Sequence, residues 1–171
     1  GRLSNMASCL TDMAAQSPDR VALQVPIGQG EGGTRYEAIS YRDLNHDSNT
    51  IAAGLEAIGI GRGVRVALMV KPSPDFFRLS FAIAKVGAVP VLVDPGIGLE
   101  HLKTCLAEAE PQAFIGVPQA HAARVLMGWA RGTLKTLVTV GSPRFVGTIA
   151  LDEVRRRGLE RVERFTPAPT R

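Results

Sequence analysis

Aromatic residues, cysteines and long apolar runs are all scarce in this chain, and each scarcity closes off a class of protein. Only 5% of the 171 residues are aromatic, so a core must be assembled from Val, Leu, Ile and Ala. That bias suits the buried strands of a parallel sheet, which read as continuous aliphatic runs. Cys9 and Cys105 are the two cysteines and lie far apart, which argues against a disulfide framework. The three histidines, His46, His101 and His121, join no Cys/His set with the four-ligand spacing of a zinc site, so no metal site is expected. A reducing cytoplasm is the simplest setting. No stretch approaches the about 18 apolar residues that would span a bilayer. Nor is a basic region followed by an apolar run visible at the start. Gly1 in first place suggests a processed or engineered beginning.

What is present describes one folded domain. Hydrophobic residues make up 45% and charged residues 21%, ordinary values for a chain that buries a core. Basic residues exceed acidic ones by 20 to 16, a net charge of +4. Apart from Arg155, Arg156 and Arg157 they are scattered, and no aromatic platform accompanies them. A nucleic-acid partner is therefore not expected.

Apolar positions Leu3, Met6, Ala7, Leu10, Met13 and Ala14 mark one face of a helix, broken at Ser17-Pro18-Asp19. Val21 to Val25 reads as a strand and Arg35 to Ser40 as its return. Between them, Gly28 to Gly33 holds four glycines in six residues. This run lies between two strands and has no Lys, so it is a hairpin tip and not a phosphate loop. Ser40, with Asp43 three residues on, caps a helix that runs to Gly59. Val64 to Val70 is a buried strand, and Ser73-Pro74-Asp75 opens the next helix with a cap, a proline at the first turn and an acid. Further strands are expected at Ala88–Val93, Ala113–Val117 and Leu134–Val140, with helices at Leu99–Ala109 and Gln119–Ala130 between them. A short helix is expected over Thr148–Arg157. Such alternation predicts an α/β fold, a parallel sheet with helices on both faces. The domain is expected to span 1–165, with Thr166-Pro167-Ala168-Pro169 opening a linker over 166–171.

One turn has the placement of a site. Asp94-Pro95-Gly96-Ile97-Gly98 leaves a buried strand and enters a helix, where open α/β sheets bind ligands and a helix start favours an anion. A rigid connection explains the same residues and is the more ordinary reading. No catalytic serine elbow and no G-x-x-x-x-G-K-[ST] loop is present.

Four segments in order resemble the adenylate-forming enzymes, the superfamily of acyl-CoA synthetases, peptide-synthetase adenylation domains and luciferases. Ile39-Ser40-Tyr41-Arg42-Asp43-Leu44-Asn45 resembles its first core motif. Phe81 to Pro95 resembles its second. Gly59 to Val70 and Ala14 to Ala22 match patterns between and before them. Val91 to Gly98 and Ala113 to Pro118 are similar to the olefin-biosynthesis branch, whose members use ATP to convert a β-hydroxy acid into a β-lactone. Fatty acyl-CoA ligases are the nearest alternative.

The resemblance implies a long-chain acid activated as an acyl-AMP, with ATP and Mg2+ required, pyrophosphate released and AMP as the leaving group. It also implies, as partners, the remaining part of the AMP-binding domain and other enzymes of the olefin pathway. The family's phosphate loop, adenine and ribose motifs and lid lysine have no counterpart in these 171 residues. No catalytic residue is therefore carried over, and the chain by itself is expected to be inactive. In the coenzyme A ligases the thiol donor's nucleotide would fall near Gly96 and Arg124. A non-catalytic binding or scaffold domain is the reading from a different class.

Overall fold

The computed structural model describes residues 2–93 and 98–168. Helix α1 (Arg2–Gln16) leads into an antiparallel hairpin of β1 (Val21–Gly30) and β2 (Gly33–Ser40). The ribbon turns between Gly30 and Gly33. Gly32 and Gly33 there hold φ of 108° and 123°, a region that residues with a Cβ avoid. The first strand runs five residues beyond its expected end at Val25. Those five, from Pro26 on, are all exposed, so they carry no apolar alternation to read.

Ser40 then caps α2 (Tyr41–Ala57), its hydroxyl accepting the Asp43 N–H at 3.1 Å. Ser73 does the same for α3 (Pro74–Lys85), accepting from Phe76 at 3.2 Å with Pro74 in the first turn. Each such cap contributes about 1 kcal/mol. Both were legible as Ser followed by an acid or by Pro.

Five strands form one parallel sheet: β3 (Arg65–Met69), β4 (Val89–Leu92), β5 (Ala113–Gly116), β6 (Thr136–Thr139) and β7 (Ile149–Ala150), in the order β4-β3-β5-β6-β7. Helices α4 (Leu99–Ala109), α5 (Pro118–Met127) and α6 (Leu151–Leu159) complete the fold, followed by a 3-10 turn at Val162–Arg164. Side chains alternate across the sheet. Val66, Leu68, Ala113, Ile115 and Val138 pack against α2, α3 and α6 in the main core. Ala67 and Phe114 face α4 and α5 on the other side with Leu102, Leu106 and Trp129. A third small core joins Leu10, Val25, Ile39 and Leu44, closing α1 and the hairpin onto α2.

Two expectations change. The helix expected from Thr148 begins at Leu151, because Ile149 and Ala150 pair with Val138 and Thr139 as a fifth strand. Two residues are too few to show a period. The apolar run Ala88–Val93 is not a fully buried strand either. Its strand β4 stands at the sheet edge, with Val91 half-buried and Leu92 70% exposed. Composition identifies a strand but not its place in the order.

Candidate functional site

The chain goes from β3 to β4 on one side and then crosses over to β5 on the other. In such sheets the crevice outside the carboxyl ends, where the order reverses, is where ligands bind. A cavity of about 380 Å³ lies there. Leu68 to Pro72 close it from the end of β3 and the segment after it, Leu92 and Val93 from the end of β4, and Val117 and Ala120 from the junction of β5 with α5, with Phe76 of α3 completing the wall. Gly116 lets α5 approach: a Cβ there would come within 2.9 Å of Phe114 and 3.1 Å of Ala120. The wall is almost wholly apolar. Lys71 is its one charged side chain among the described residues, and it is exposed. An aliphatic chain with an anionic head has the matching chemistry, since apolar walls with a few placed polar groups are the usual ligand site.

A wider recess of about 470 Å³ lies between α2 and the end of α6, lined by Glu56, Glu160, Arg161, Arg164, Ala53 and Phe165. Its charges are mixed in sign and no strand residue lines it. It lacks the convergence of a site.

The two motif helices are joined by a lysine. Lys85, at the end of α3, is 1% exposed. Its Nζ donates to Asn45 Oδ1, Ser48 Oγ and Asn49 Oδ1, each at 2.8 Å, and to the Asn45 carbonyl at 3.2 Å. The Ser48 hydroxyl hydrogen is already given to Leu44 O, so Ser48 can only accept from the lysine. Burial lowers the Lys85 pKa to about 7. Four surrounding acceptors favour the ammonium and oppose that pull. The Lys85 carbonyl in turn accepts the Ala168 N–H at 2.8 Å, so the end of the described chain is tied to the same helix. Apolar spacing gave no hint of this cage. The signal was a lysine standing inside the apolar stretch Phe81–Val86.

Of the two candidate residues, Gly96 lies outside the described residues, with Asp94, Pro95 and Ile97 of the same turn. Arg124 sits on α5 with its guanidinium 5.7 Å from the centre of the Phe114 ring, its Nε buried without a partner. Burial lowers its pKa. The structure therefore does not show the two together. No three His, Cys, Asp or Glu converge among the described residues. No helix among the described residues is long and apolar enough to cross a membrane.

Comparison with known proteins agrees with this geometry. The chain is 50% identical over 158 residues to an olefin beta-lactone synthetase of Xanthomonas campestris pv. campestris, covering 91% of this chain and 28% of that protein. It is 48% identical over 160 residues to the olefin beta-lactone synthetase of Stenotrophomonas maltophilia, covering 92% and 29%. The chain thus spans less than a third of the length of these curated relatives. Among solved structures, a long-chain-fatty-acid-CoA ligase of Archaeoglobus fulgidus shares the fold, with a TM-score of 0.77 at 19% identity over 96% of this chain and 31% of that one. Residues 10–164 match the family described as AMP-binding enzymes, and with that match over most of its length the chain belongs to that family.

Proposed function

We propose that this chain is part of an ATP-dependent, adenylate-forming synthetase whose substrate is a long-chain β-hydroxy acid. The carboxylate attacks the α-phosphorus of ATP, giving acyl-AMP and pyrophosphate. The β-hydroxyl oxygen then attacks the activated carbonyl, loses its proton, and expels AMP to close a β-lactone. What carries this reading is the 50% and 48% identity, over nine-tenths of the chain, to two relatives bearing the β-lactone synthetase name. The apolar cleft with Lys71 at its rim supports an aliphatic acid. The role of this chain is to supply one wall of the site and to keep water from it. The nucleotide and magnesium contacts are assigned to the remaining part of the AMP-binding domain, and successive enzymes of an olefin pathway are the expected partners. The thioester alternative would use Gly96 and Arg124 for coenzyme A; the lactone reading gives them no ligand.

The test is made on the full-length protein with ATP and a series of β-hydroxy acids, with and without coenzyme A. The expected product is the β-lactone, formed equally well in both conditions. A thioester formed only with coenzyme A would overturn the reading. The isolated 171-residue chain is expected to give no ATP–pyrophosphate exchange with any acid.

A further inference from the structure

His121 is completely buried, whereas His46 and His101 are exposed. Its ring lies between two aromatic rings. Phe114 of β5 is 5.0 Å away, tilted by 59°, and Phe145 is 5.6 Å away and stacked within 19°. Nε2 is 2.7 Å from the Val138 carbonyl oxygen. A carbonyl only accepts, so Nε2 carries the hydrogen, and Nδ1 is left as a bare acceptor. That nitrogen is buried with no partner. The charged residues on the elements packed around the ring are Arg124 on α5 and Arg144 in the loop after β6. The β5 and β6 strands contribute none. Among the described residues, no carboxylate is placed against the ring to receive a second N–H.

Phe145 belongs to the loop 141–148, which leaves the carboxyl end of β6. Six of the eight loop residues are exposed, Phe145 and Thr148 being the exceptions. Its remaining ties to the sheet are hydroxyl bonds. Phe145 N–H donates to Thr139 Oγ1 at 3.3 Å, and the Thr139 and Thr148 hydroxyls lie 2.6 Å apart. We infer that His121 and Phe145 form an acid-sensitive latch: with the imidazole neutral the loop 141–148 lies shut, and protonation of Nδ1 forces it open.

The physical reason is one of access. A second ring N–H, buried with a positive charge and no acceptor, must reach water. Releasing it through β5, β6 or α5 would break the sheet or the helix. Lifting Phe145 breaks one ring stack and a few hydroxyl bonds. Burial lowers the His121 pKa, and the charge of Arg124 lowers it further, while the bond to Val138 raises it in part. The folded state thus holds the neutral form. The stabilisation is complete above the ordinary histidine value of about 6.5 and is lost as pH falls through the lower folded value. Ala120 of the cleft wall directly precedes His121 and Val117 stands one helical turn before it, so the latch lies beside the cleft.

Hydrogen exchange of the full-length protein tests this, with the loop 141–148 followed from neutral to mildly acid pH and corrected for intrinsic exchange. Loop protection is expected to fall at least tenfold while β3 stays protected. In His121→Phe, which keeps a packed ring but cannot take a proton, the loop is expected to stay protected. An equal fall in both proteins, or none in the parent, overturns the proposal. Ring NMR of the unaltered protein guards against a variant that fails to fold. The titration of His121 must coincide with the loss of loop protection, and a ring that titrates without it refutes the latch.

Discussion

Where α2 crosses α6, two glycines replace side chains. A Cβ built on Gly158 would collide with the Thr50 carbonyl oxygen, and one on Gly54 with that of Val154. Both obstacles are backbone, which cannot swing aside. In an exposed helix, Gly→Ala would gain about 0.5–1 kcal/mol. Here overpacking opposes that gain and costs about 3 kcal/mol or more. Gly158→Ala is therefore expected to lower the melting temperature by roughly 6–12 °C, at about 2–4 °C per kcal/mol for a domain of this size. A higher melting temperature would show that the helices part easily. Caps such as Ser40 and Ser73 could be read in advance, because their chemistry is local. The glycine crossing and the Lys85 cage could not, because each depends on a partner from a distant helix.

Among the elements, position in the sheet decides how much a substitution costs. Val138 is fully buried in β6, whereas Val91 stands half-exposed in the edge strand β4. An unpaired charge at Val138 has no route to water and costs several kcal/mol, on the order of the whole stability. At Val91 the loss is limited to part of one side chain's burial, about 1–2 kcal/mol. Denaturant unfolding of Val138→Asp and Val91→Asp is expected to separate them in that order, and equal losses would contradict the strand order. The alternation of strands and helices was legible from hydrophobic runs and glycines, but the edge was not, since β3 and β4 look alike in sequence. A second link between elements is ionic. Arg78 of α3 reaches Glu37 of β2 at 2.8 Å, Asp47 of α2 at 3.2 Å and Asp75 at 3.5 Å, and Asp75 also meets Arg155 of α6 at 2.6 Å. Its side chain is 17% exposed. Burial would lower the Arg78 pKa, but Glu37 and the two aspartates together raise it. Arg78→Met leaves Glu37 and Asp47 without their shared cation, while Asp75 keeps Arg155. A loss of about 2 kcal/mol is expected at low salt, shrinking as salt screens the repulsion. A loss independent of salt would mean that packing, not charge, is what Arg78 provides.

Across the molecule, the resemblance rested on separate sequence segments that the fold brings into contact. Asn45 of the first motif bonds Lys85 of the second, and the second motif's strand then forms a wall of the cleft. That an open parallel sheet places its cleft at the carboxyl ends of its strands follows from the fold; the turn singled out in the sequence lies, except for Gly98, outside the described residues. The lining of the cleft could not be foreseen, because Met69, Phe76 and Val117 come from three separate elements. The strand order also has a consequence for how the protein is made. β3 is the first strand of the sheet to be synthesised, yet it ends between β4 and β5. β4 can cover one of its edges as soon as α3 is complete. The other edge must wait for α4 and all of β5. During synthesis, one of the least polar segments of the chain is therefore held with an open edge until residue 116 has left the ribosome. A nascent chain that pauses before that point offers the cell's folding helpers a bare strand in place of a finished sheet.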